Sequence, residues 1–202
     1  MDKKLLIGID IGTSGCKVIL FENGSVLRSA TVGYPLSQPK PGWSEQDPAD
    51  WWAGVREGLM TVMNGIDGNI AGISFSGQMH GMVALDGDME VVRPAILWND
   101  QRTQAQCDEI TAAAGGLDGL LSYTNNMMLT GYTGGKILWM KENEPENYAK
   151  TRLILNPKDY IRYRLTGEIF TDVSDASGTG LFDVERRTWA NELMEKIGIS
   201  TS

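Results

Sequence analysis

The 202 residues are 42% hydrophobic and 22% charged, ordinary globular proportions that allow a packed core within one domain or a large part of one. Lys and Arg number 18 against 26 Asp and Glu, a formal net charge of −8, which argues against attraction to nucleic acid or an anionic membrane. The two cysteines, Cys16 and Cys107, lack CxxC spacing and read as reduced thiols, and no apolar run approaches the roughly 18 residues of a membrane span. The start, "MDKKLLIGID", has neither the longer apolar core nor the small-residue cleavage site of a leader, so a soluble, cytoplasmic chain is expected.

Leu5 to Ile9 reads as a buried strand and Lys17 to Phe21 as its return, and an Asn23-Gly24 turn leads into a third strand near Val26 to Val32. After the polar loop "SQPKPGWSEQDP", Asp47 is placed to cap a helix with Pro48 at its first position and Asp50 at its positive end. Trp52, Val55, Leu59, Val62 and Ile66 recur at helical spacing and give that helix an apolar stripe. "NIAGISFSG" (Asn69 to Gly77) is a further strand, and a hairpin is expected about Asp86 to Asp88. Gln104 to Ala114 reads as a helix, and a long irregular region follows it. Helices are expected over Gly135 to Glu142, Pro157 to Leu165 and Thr188 to Ile197, with a short strand from Arg152 to Leu155. No internal repeat or low-complexity linker interrupts the pattern. The fold class is α/β, a mixed β-sheet flanked by helices.

Residues 8 to 17, "GIDIGTSGCK", put an aspartate where a buried strand ends, beside a turn too small to shield it. A Walker loop needs Lys directly after Gly, then Ser or Thr at the head of a helix; here Cys16 separates Gly15 from Lys17 and a strand pattern follows. The glycines at 8, 12 and 15 do not match GxGxxG before a helix either. What remains is a turn between two strands that offers Gly12, Thr13, Ser14 and Gly15. Glycine lets backbone approach a ligand closely, successive turn amides can form an anion-binding concavity, and two hydroxyls add donors. A bare Asp10 would repel phosphate unless Mg2+ lay between them, because magnesium takes one or two carboxylates together with water and phosphate oxygens. The plainer alternative is a strand-end aspartate that caps its own turn.

His80 is the only histidine and lies in "SGQMHG", after a β-branched strand and next to a glycine. A lone histidine is usually structural, but Gln78 and His80 can each donate or accept hydrogen bonds, and such a pair suits a polyhydroxylated ligand.

"GIDIGTSGCKVIL" followed by a hairpin resembles the first phosphate motif of the sugar kinase, heat-shock ATPase and actin superfamily, whose lobes are ribonuclease-H-like. Together with "WSEQDP", "GQMHG", "RPAILWNDQR", "PKDYIRYRLTGE" and "SDASGTGLFDV", in order from Ile7 to about Trp189, it is similar to the FGGY carbohydrate kinases. Within them it leans toward those acting on a ketopentose, since glycerol kinases carry a different dipeptide where this chain has Met79-His80. The resemblance implies transfer of the ATP γ-phosphoryl to the 5-hydroxyl of D-xylulose, with ATP and Mg2+ as cofactors. It makes Asp10 the magnesium-associated aspartate, catalytic in that sense, and Gly12, Thr13, Ser14 and Lys17 phosphate contacts. Gln78, Met79 and His80 would line the sugar. Asp100 and Arg102 would support that face, against a purely structural ion pair; Asp175, in a polar, glycine-bearing turn, would either stand behind the substrate contacts or simply cap the element after it, and Asp159 reads as helix structure. The family's catalytic base sits in a "GGGDN"-like segment of the second lobe, which these residues lack. The expectation is therefore most of an N-terminal, sugar-binding lobe, residues 1–202, inactive alone, whose uncovered edge favours a homodimer. Another ketose, a polyol such as glycerol, or a non-catalytic sugar-binding protein are the alternatives.

Overall fold

The computed structural model describes residues 4–199. Residues 1–3, part of the stretch read above for a leader, and residues 200–202 lie outside the described residues. The chain runs β1 (Lys4–Ile11), β2 (Gly15–Glu22), β3 (Ser25–Gly33), β4 (Glu45–Gln46), α1 (Pro48–Met63) and β5 (Asn69–Gly77). It continues through β6 (Val83–Leu85), β7 (Ala95–Ile96), α2 (Gln104–Ala113), α3 (Leu117–Thr124), α4 (Thr133–Asn143) and α5 (Pro145–Lys150). The last elements are β8 (Leu153–Leu155), α6 (Pro157–Thr166), α7 (Val173–Ser177), β9 (Phe182–Asp183), β10 (Thr188–Trp189) and α8 (Asn191–Lys196). Among the described residues, no helix is long and apolar enough to cross a membrane.

Two compact units result. The first comprises the chain through Leu36, Gln46–Gln78 and Pro157–Ile169. Its sheet has the order β3-β2-β1-β5, antiparallel among the first three strands and parallel between β1 and β5, the mixed sheet expected. Period-two alternation buries Leu5, Ile7, Ile9 and Ile11 on one face of β1, leaving Leu6 and Asp10 on the other. Asn23 and Gly24 both have positive φ (52° and 81°), the conformation that a two-residue hairpin turn requires.

Asp47 caps α1, accepting from the Ala49 amide at 2.9 Å. The buried face of this helix is Trp51, Gly54, Val55, Gly58 and Val62, so the apolar stripe is turned relative to the one expected. Small residues decide this. Gly54 and Gly58 lie against the side chains of Cys16 and Val18, and the helix meets the sheet along that strip. Trp52 instead lies beneath the Arg164 guanidinium, 4.9 Å from it, and Ile66 falls beyond the helix end.

The second unit comprises Ser37–Glu45, Met79–Asn156 and the chain from Phe170. Its core gathers Met82, Ile96, Ile110, Leu138, Met140 and Leu193. Three expectations are corrected here. The region after α2 is not irregular throughout, because it contains α3, entered through Gly115 and Gly116 at positive φ and anchored by buried Leu120 and Thr124. No side chain caps that helix, so its start carries no sequence signal. Residues 188–197 divide into β10 and α8, because Trp189 pairs with Phe182 and packs edge-on against its ring at 5.4 Å. Asp175 lies inside the short helix α7 and not in a turn; Asp172 caps that helix, accepting from the amides of Ser174 and Asp175.

Candidate active site

The turn between β1 and β2 is drawn tight by a 3.0 Å bond from the Gly12 amide to the Gly15 carbonyl. A Cβ on Gly15 would fall against the Val32 carbonyl at 2.5 Å, so that position admits only glycine. All three carbonyls of the turn proper are bonded back into the first unit. Gly12 accepts from the Tyr34 hydroxyl, Thr13 from Gln46 Nε2 at 2.7 Å, and Ser14 from the Tyr34 amide at 3.3 Å. Burial pushes the Tyr34 phenol well above its ordinary range, with Cys16 and Asp10 adding to the shift, so it stays a donor. Gln46 is itself buried, and its Oε1 accepts from the Trp51 indole and from Gln78 Nε2, each at 3.0 Å.

Asp10 is exposed on the sheet face opposite the core, directly across from Lys17 on β2 and beside Ser76 on β5. The Ser76 hydroxyl donates to Asp10 Oδ1 at 2.6 Å. The turn opens into a strand. Gln78 closes this unit, donating through its amide to the Ile11 carbonyl at 2.6 Å, and its buried Oε1 has no hydrogen-bond partner among the described residues.

Met79 and His80 belong to the second unit. Met79 is 53% exposed, whereas His80 is half-buried with the left-handed φ of 62°. The His80 ring stacks on Tyr132 at 4.6 Å between centroids, tilted by 36°. Gly178 lies so close that a Cβ there would collide with the imidazole. Burial pushes the His80 pKa below its ordinary value and Lys136 adds to this, while the adjacent Gly178 backbone opposes it; the ring is neutral at physiological pH. The His80 carbonyl accepts from Lys136 Nζ and from Thr133 Oγ1.

Asp100 and Arg102 are buried together in the same unit. Arg102 makes a forked bond to the Asp100 carboxylate, reaches Glu45 at 2.8 Å, and lies 3.6 Å over the Trp43 ring and 4.8 Å from Trp139. Asp100 also accepts from the Ser44 amide at 2.6 Å, which fixes the strand leading to Gln46. This is an ion pair that holds backbone. Asp159, in the first turn of α6, is likewise buried and bonded to Lys158 at 2.8 Å.

The model of the FGGY family of carbohydrate kinases, N-terminal domain, matches residues 5–202. The chain belongs to this family. An FGGY relative, the xylulose kinase of Bacillus subtilis, is 49% identical over 98% of this chain and 40% of its own length. Two solved FGGY-like structures align with a TM-score of 0.91: a xylulose kinase from Brucella ovis (38% identity, 97% of this chain, 41% of that one) and a gluconate kinase from Lactobacillus acidophilus (33%, 98% and 40%). The chain thus spans about 40% of the length of these relatives. Its α/β fold is that of the FGGY and actin-like ATPase kinases, the ribonuclease-H-like class that the motifs implied.

Sequence reading did not assign roles to Tyr34, Gln46, Tyr132, Lys136 or Gly178. For Lys136 a signal existed, a single cation inside the otherwise uncharged "GGKILWM", and Gln46 lay within a quoted motif. Gly178 lay within another, "SDASGTGLFDV", and for Tyr34 and Tyr132 no local pattern marks the role.

Proposed function

We propose that these residues form the sugar-binding lobe of an ATP-dependent kinase that transfers the γ-phosphoryl group to the 5-hydroxyl of D-xylulose. One observation carries the reading: an exposed carboxylate, Asp10, at the end of β1 beside a glycine turn whose three carbonyls are all occupied by the protein. Carbonyl dipoles that would repel phosphate are tied off, and a carboxylate accessible to a hydrated cation stands next to them. That fits Mg2+ at Asp10, with Gly12, Thr13, Ser14 and Lys17 toward the phosphates. Bound there, the cation supplies neutralisation of phosphoryl charge. Gln78, Met79 and His80 meet the sugar, with the neutral imidazole donating to or accepting from its hydroxyls. Asp100 and Arg102 support that face as a buried pair. The hydroxyl needs a base as it attacks. In this reading the base lies outside residues 1–202, and the chain expressed alone gives no turnover. Among the described residues no strand pairs with the outer edge of β5, which supports pairing of two copies that sedimentation would read as a concentration-dependent dimer.

A second reading keeps the chemistry and changes the sugar, because a gluconate kinase matches this fold as well as a xylulose kinase does. The deciding experiment uses the full-length enzyme and a panel of D-xylulose, D-ribulose, gluconate and glycerol. D-xylulose is expected to give the highest kcat/KM, and preference for gluconate would move the assignment to the second reading. In the same enzyme Asp10→Asn lowers kcat by about a hundredfold with little change in sugar KM; unchanged turnover would remove Asp10 from the site.

A further inference from the structure

Lys136 is fully buried in α4, and the reading above gives it no task. Its Nζ donates to two backbone carbonyls, that of His80 at 2.5 Å and that of Gly131 at 2.7 Å. Thr133 Oγ1 reaches the same His80 carbonyl at 3.2 Å. The charged groups acting on this ammonium are Asp100, which favours the charge, and Arg102, which opposes it, with the Cys107 thiol nearby. Asp100 is already committed to Arg102 and to the Ser44 amide, so it is not a dedicated counter-ion.

Burying an ammonium is costly, and a residue retained only for packing would be better served by methionine or leucine. The two carbonyls it holds bracket a single ring pair: one belongs to His80, the other to the residue before Tyr132, whose ring stacks on the imidazole. His80 also occupies the left-handed region, which a non-glycine residue keeps only when its surroundings hold it there. The bonds that Lys136 Nζ and Thr133 Oγ1 donate to the carbonyl provide that hold.

We propose that Lys136, assisted by Thr133, is a positioning residue that pins the His80 backbone and so sets the imidazole against Tyr132 in the orientation that meets the sugar. This rests on the reading of His80 as a sugar contact, and the test separates the two. The chain has one histidine, so a chain labelled at histidine gives a single imidazole signal by NMR. In the wild-type chain that signal shows a cross-peak to the Tyr132 ring and shifts when D-xylulose is added. Lys136→Met is expected to abolish the cross-peak and to raise the D-xylulose Kd about tenfold. A folded Lys136→Met chain that keeps both the cross-peak and the wild-type Kd overturns the proposal. Should that variant not fold, Thr133→Val decides by the same two readouts, with a weakened cross-peak and reduced affinity supporting the proposal and unchanged values overturning it. A wild-type signal that ignores D-xylulose while Lys136→Met still loses the cross-peak sinks the sugar reading and leaves the positioning of the ring intact.

Discussion

Gln46 donates from its side-chain amide to the backbone carbonyl of Thr13 at 2.7 Å, across a sequence separation of 33 residues. The same side chain also holds the Pro35 carbonyl, the Trp51 indole and the Gln78 amide. Gln46→Leu keeps the volume and removes every partner. It should destabilise the fold by about 2–3 kcal/mol through the polar groups it strands, and it should raise the KM for ATP by loosening the turn. Urea unfolding and steady-state kinetics read the two effects, and an unaltered KM would dissociate the turn from nucleotide binding.

Arg102 lies over the Trp43 ring and beside Trp139 while its fork engages Asp100. Lysine can supply neither the planar fork nor the stacking, so Arg102→Lys should cost about 3 kcal/mol despite keeping the charge. The urea midpoint would fall with the slope unchanged. A shift of less than about 0.5 kcal/mol, the size of an ordinary surface change, would show that the pair contributes little.

Gly178 has φ −70° and ψ −6°, a conformation open to any residue, so its backbone does not demand glycine. The His80 ring does, because an added methyl would occupy its place. Gly178→Ala should therefore change unfolding free energy by less than about 1 kcal/mol while weakening sugar binding about tenfold. Isothermal titration with D-xylulose beside a thermal melt tests both halves.

Burial pulls the Lys136 pKa from 10.5 down to about 7, with Arg102 acting in the same direction and Asp100 against it. Between those two values the unfolded chain binds the proton and the native chain does not, so this residue makes stability rise with pH across that window. Below about pH 7 both states are protonated and the full burial penalty remains. Wild type minus Lys136→Met should thus gain on the order of several kcal/mol between pH 6.5 and pH 10, with Cys107 and His80, on which Lys136 also acts, adding smaller contributions to the difference. A flat difference would mean that Lys136 keeps its charge throughout.

Local chemistry made much of the first unit legible. Asn23-Gly24 announces its hairpin, Asp47-Pro48 announces α1, and strict alternation announces β1. The turn at Gly12 was readable for the same reason, since every competing phosphate loop needs a helix that the residues after Gly15 cannot begin. The environment of His80 was not readable, because Lys136 reaches it across 56 residues and Thr133 across 53, and no periodicity records a contact made by folding. The start of α3 was hidden by two glycines where a capping side chain would stand, and α8 by a tryptophan drawn into strand pairing.

In the sugar-binding reading proposed above, the backbone at position 80 has a consequence for redesigning substrate choice. Its positive φ filters any saturation library before chemistry is sampled: glycine, asparagine and aspartate survive at little cost, whereas valine, isoleucine and threonine are lost to misfolding. On that reading altered sugar preference is more readily evolved at the neighbouring methionine, whose side chain is half in solvent and whose φ carries no such restriction.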